Sequence, residues 1–123
     1  MVQLAEWNAE TIGIADLDAM DDAALDRLPF GVVAMDADGI ARRYNDTEAQ
    51  LAGLDRERII GAHFFDTIAQ CMNNFMVAQR YEDEPELDAV VPFVLTLRMR
   101  PTPVRLRLLQ RPGVALSYLL IKR

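Results

Sequence analysis

Between positions 44 and 71 the chain places a phenol, a carboxyl group, an imidazole and a thiol: Tyr44, Glu48, His63 and Cys71. Cys71 is the only cysteine and His63 the only histidine. One histidine and one cysteine do not make a metal-ligand set. A Cys–His nucleophile pair is conceivable, but the two lie eight residues apart. That is about two helical turns, too far for contact along one helix. A lone cysteine is more often a small buried hydrophobe than a reactive group. Tyr44 and Glu48 stand four apart at an expected strand-to-helix junction. There Glu48 can cap a helix that Asn45 begins, and Tyr44 can close a strand on the core. From pattern alone these structural roles outweigh the chemical ones. A small cavity shared by thiol, phenol and carboxyl is the chemically informative alternative.

The elements that would position these groups can be read in order. Residues 1–28 form a helical lead-in. Asn8 or Thr11 is expected to cap a first short helix, and Asp21 a second with Leu25 and Leu28 on one side. The lead-in has too few apolar residues to stand alone, so it must lie across another surface. Phe30 to Met35 reads as a short buried strand, D-A-D-G at 36–39 as a tight turn, and Ile40 to Tyr44 as the returning strand. N-D-T-E at 45–48 fits a loose capping box, and Gly53 ends the helix. Asp55 opens a short turn closed by Gly61. Phe64 to Cys71 and residues 72–82 read as further helical pieces, the latter with Phe75, Met76 and Gln79 at helical spacing. Residues 82–86 read as a solvated loop.

From Val90 the period changes to two, with Phe93, Leu95, Leu97 and Met99 on one face. Val104, Leu106 and Leu108 then alternate with Arg105 and Arg107, and the basic face reads as solvated. Val114 to Ile121 is apolar on both faces and so central. The expected class is α+β: a five-stranded antiparallel sheet with short helices on one face and the lead-in beside it.

Composition narrows the function. With 123 residues the chain is the size of one domain and can bury a core without disulfides or metals. The formal charge of −6 argues against phosphate-contact binding of nucleic acid. No apolar run approaches the roughly 20 residues of a membrane span, and the N-terminus does not read as a secretory signal. A single cysteine fits a reducing, cytoplasmic setting.

Four stretches carry a family resemblance. L-P-F-G-V-V-A-M-D-A-D-G-I-A-R-R-Y-N-D-T-E, G-A-H-F-F-D-T-I-A-Q-C and M-R-P-T-P-V-R-L-R-L with S-Y-L-L-I-K-R together resemble the photoactive yellow protein family of blue-light receptors. That family has a PAS fold, which the resemblance places at residues 29–123 behind a cap at 1–28. It carries p-coumaric acid (4-hydroxycinnamic acid) as a thioester. The resemblance puts that link on Cys71 and the hydrogen bonds to the phenolate on Tyr44 and a protonated Glu48. Ala52, Leu54, Phe64 and Met99 fall at other pocket positions. It implies that light isomerises the pigment and that Glu48 then yields its proton. A buried carboxylate left behind is costly, so the domain, and the lead-in first, should loosen.

The chain departs from the family pattern around this trio. Ala52 stands for a threonine, Leu54 for an arginine and Gln70 for a proline. An aliphatic residue near Leu119 replaces a tryptophan. The resemblance implies a non-enzymatic sensor with a separate downstream signalling partner, a homodimer being open. The alternatives are a pigment-free PAS ligand sensor or dimerisation module, and a thiol enzyme using Cys71.

Overall fold

The structure, a computed structural model, describes residues 7–96 and 100–123. Five strands form one antiparallel sheet: β1 (Gly31–Met35), β2 (Ala41–Tyr44), β3 (Leu87–Leu95), β4 (Thr102–Gln110) and β5 (Ser117–Lys122). Their order is β2-β1-β5-β4-β3. The strand apolar on both faces, β5, is the central one. Its Leu119 and Ile121 enter one core, and its Tyr118 and Leu120 enter another on the opposite face.

The first core lies under the helices that join β2 to β3. These are α3 (Asp46–Ala52), α4 (Arg56–Ile59), a π-helical turn at Phe64–Ile68, a 3-10 turn at Gln70–Met72 and α5 (Ala78–Asp83). The second core lies under the lead-in, with α1 (Ile14–Ala19) and α2 (Asp22–Asp26). Ile12, Ile14, Leu17, Leu25 and Leu28 are buried there against Phe30, Val32, Leu109, Tyr118 and Leu120.

Local chemistry explains the ends of these elements. Asp21 caps α2 by accepting from the Ala24 N–H at 2.8 Å. Asn8 does not cap α1. It closes a turn ahead of it, and α1 starts at Gly13, whose N–H donates to Asp16. In the β1–β2 turn the Asp36 carboxylate accepts from the Asp38 and Ile40 N–H groups, and Gly39 takes a φ of 81°. Gly53 ends α3 in the left-handed region at φ 71°. The helix expected over 72–82 is shorter than its pattern. Phe75 is 79% exposed, and Asn74 accepts from the Met76 N–H in a turn before α5 begins.

The basic face of β4 is solvated at Arg105, as the alternation suggests, but not at Arg107. Arg107 is buried. Its guanidinium forks onto Asp88 at 3.0 Å and 3.0 Å, and its third nitrogen donates to the carbonyls of Ala9 and Ile12. Arg43 donates to the carbonyls of Leu17 and Met20 and to the Tyr118 hydroxyl, which donates to Asp18 at 2.7 Å. Burial, then the bond to Asp18, pushes the Tyr118 phenol up to about 12. Trp7 contributes less than its size suggests, being 39% exposed, and Leu4 lies outside the described residues. Among the described residues no helix is long and apolar enough to cross a membrane.

Candidate functional site

Tyr44 ends β2, and the next residue starts α3. Asn45 makes that corner. Its side-chain oxygen accepts from the Glu48 N–H, capping α3, and from the Val32 N–H of β1. Its amide donates to the carbonyls of Leu25 and Phe30. One buried amide therefore ties lead-in, sheet and helix together, a role beyond the capping its sequence context indicates. It also fixes which way α3 faces. Glu48 and Ala52, one turn apart, are its buried residues.

Glu48 does not complete a capping box. Its carboxylate turns over β1 and meets the Arg123 guanidinium in a two-pronged contact, at 2.6 Å and 3.1 Å. Glu48 is 1% exposed. Burial raises its carboxyl above the usual range, and the hydrogen bond and charge of Arg123 pull it part of the way back. The contact needs a bare backbone beneath it. A Cβ on Gly31 would land on the Glu48 Oε1. Antiparallel pairing of Gly31 with Ile121 brings the end of β5 alongside. Neither Gly31 nor Arg123 stands out as a site residue in the sequence. The available signal is a glycine opening the apolar strand G-V-V-A-M, a position that permits a close approach.

Tyr44 is buried in the core under the helices. Burial first, and then the negative charge of Glu48, lifts its phenol far above the ordinary range, opposed by Arg123. Both Glu48 oxygens are taken by Arg123, so the phenol and the carboxyl are neighbours electrostatically rather than a hydrogen-bonded pair.

Cys71 sits in the 3-10 turn as a free, half-buried thiol. Buried Ala69 and Met72 flank that turn. Its backbone is braced by Asp66, whose carbonyl accepts from Gln70 at 2.7 Å and whose carboxylate accepts from Asn73 at 3.0 Å. Asn74 donates to the Cys71 carbonyl. Gln70 thus stiffens by a side-chain bond the turn that a proline would stiffen through its ring.

Tyr44 and Phe64 belong to one buried cluster, and Leu54 and Cys71 pack against that cluster from its partly buried rim. Phe64 meets Phe65 edge to face, with centroids 5.4 Å apart. Phe64 is placed by its N–H bond to the Gly39 carbonyl, next to the Ile40–His63 bridge. His63 is engaged elsewhere. Its Nδ1 accepts from the Asp66 N–H at 3.1 Å, and its ring lies against Gly39. The structure therefore does not make the Cys71–His63 pair. Met99 lies outside the described residues. Among the described residues no cluster of three or more metal-ligating side chains is present.

A family model described as "PAS fold" matches residues 25–89. The chain is 32% identical over 92 residues to a photoactive yellow protein of Rhodothalassium salexigens, covering 72% of this chain and 74% of that one. It is 27% identical over 121 residues to a photoactive yellow protein of Rhodobacter capsulatus, covering 90% and 94%. Among solved structures it resembles the photoactive yellow protein domain of the sensor histidine kinase Ppr from Rhodospirillum centenum. The TM-score is 0.82 at 32% identity, covering 89% of this chain and 98% of that one.

Proposed function

Because this chain belongs to the photoactive yellow protein family of PAS domains, we propose that it is a light-sensing domain carrying p-coumaric acid as a thioester on Cys71. The observation that supports this reading is a free thiol, Cys71, at the rim of the buried cluster that contains Tyr44 and Phe64. Bound there, the pigment supplies a double bond that light can isomerise. The chain's own residues do the rest. Cys71 anchors, and its braced turn holds the anchor still. Tyr44, too buried to ionise readily, stays a phenol and can donate a hydrogen bond. Glu48 holds or releases a proton in a site where its ionised form is costly without a partner. The cap at 1–28 is the element we expect to loosen, and the family resemblance assigns Ala52, Leu54 and Met99 to further pocket positions.

The residues present fit the pigment at Cys71 and Tyr44. At Glu48 the fit is incomplete, since a carboxylate forked onto an arginine has no proton to donate. That pair favours a second reading, a PAS ligand sensor or dimerisation module without pigment. Incubation with an activated p-coumaric ester separates the two. We expect the adduct mass, a visible absorption band, and loss of both in Cys71→Ser. A wild-type chain that keeps its thiol and stays colourless overturns the photoreceptor reading. Kinship to a domain of a sensor histidine kinase supports a signalling partner of the kinase type. We assign Cys71 no catalytic turnover.

A further inference from the structure

The Glu48–Arg123 pair has a consequence that rests on the reading above. Both oxygens of Glu48 accept from one guanidinium, at 2.6 Å and 3.1 Å. A guanidinium carries only donors and stays charged. A neutral carboxylic acid offers one good acceptor and one O–H donor, so a two-pronged acceptor is a carboxylate. The groups facing Glu48 are Arg123 from the end of β5 and Tyr44 from β2. The other acid of this stretch of α3, Asp46, turns to Gln50 instead, and Asp26 pairs with Arg56. Arg123 is thus the cation recorded on Glu48. It comes from the C-terminal side of β5, while the Leu54 position carries no positive charge.

We propose that Arg123 sets the protonation state of the site. It holds Glu48 as a hydrogen-bond acceptor in the ligand-free chain, and it must leave Glu48 before that group can act as an acid donor. Arg123 is accordingly a positioning residue that acts through Glu48. With the guanidinium in place, the pocket takes a phenol as a neutral O–H donor onto the carboxylate. With the guanidinium withdrawn, Glu48 takes a proton from solvent, and the pocket favours a phenolate. The end of β5 and the bare backbone of Gly31 become parts of the switch.

Infrared spectroscopy of the pigment-free full chain at neutral pH tests this without any photochemistry. Wild type should show no protonated-carboxyl band that Glu48→Gln removes. Arg123→Gln should gain such a band, corresponding to one carboxyl per chain, and Arg123→Gln/Glu48→Gln should lose it again. Arg123→Lys, which keeps a charge but not the fork, should show the band more weakly than Arg123→Gln. A Glu48-dependent band already present in wild type overturns the proposal, even if the Arg123 variants fail to fold. So does an Arg123→Gln chain that folds without the band. Because the pigment is absent, failure here leaves the Cys71 thioester reading standing. Failure of the thioester test likewise leaves this result interpretable.

Discussion

Two arginines on opposite faces of the sheet, Arg43 and Arg123, hold different kinds of partner. On the lead-in face, Arg43 donates to the carbonyls of Leu17 and Met20 and to the Tyr118 phenol. None of these three partners ionises between acid and neutral pH, the phenol being pushed up to about 12, and the carboxylate that Arg43 also meets, Asp22 at 3.7 Å, is exposed and screened by solvent. On the helix side, Arg123 holds the buried carboxyl of Glu48. The first grip is a fixed clasp. The second can be opened by a single proton. The same kind of side chain builds structure at Arg43 and a titratable element at Arg123, and the choice lies with the acceptor.

The comparison is broken most severely by Arg123→Gln. Removing one partner of a buried pair leaves Glu48 either to take up a proton against the pH or to stay an uncompensated charge, a loss of about 3 kcal/mol at neutral pH. The sign of its pH dependence follows from the raised carboxyl of Glu48. Folding favours the protonated form, so its contribution is complete below the unfolded carboxyl range. It is lost as pH rises through the folded value. Without Arg123 the folded value climbs further. Urea titrations from mild acid to neutral pH should therefore show the deficit growing with pH, and Glu48→Gln in the same background should flatten it. A deficit independent of pH would mean that Glu48 is not the group left exposed.

Arg43→Met keeps the apolar stem and removes the donors. Losing hydrogen bonds to part-buried carbonyls should cost about 2 kcal/mol. The same titrations should find that cost unchanged from mild acid to neutral pH. A cost that tracks pH as Arg123→Gln does would erase the distinction between the faces.

The smallest effect is expected in the lead-in of the pigmented chain under illumination. Its docking rests on a few residues such as Leu17, Leu25 and Leu28, so local opening is near the low end of the stability scale. Amide exchange through 14–26 should accelerate by a few-fold, on the order expected of sub-global opening. Trp7, already 39% exposed, should report only a small fluorescence change. Exchange unchanged in light would show that the clasp stays shut and that any signal leaves by another face.

Much of this molecule was legible in its sequence because the signals are local. Period-two alternation marked β3 and β4, a short apolar run marked β1, the D-A-D-G turn joined β1 to β2, Asp21 and Asn45 started helices, and Gly53 stopped one. The double-sided apolar pattern of β5 placed it at the centre of the sheet. The short run at 72–82 misled because two of its apolar residues, Phe75 and Met76, turn to solvent rather than to a core. What only the tertiary structure decided is which partner each polar side chain takes. Arg107 looked like a solvated basic residue until the lead-in folded over it. Glu48 looked like a helix cap, and its carboxylate went to an arginine 75 residues away. That meeting depends on the register of β1 with β5 and on a missing side chain at Gly31. Neither has a local periodicity, because a buried charge selects its partner by proximity in space and by the desolvation it must offset, not by spacing along the chain.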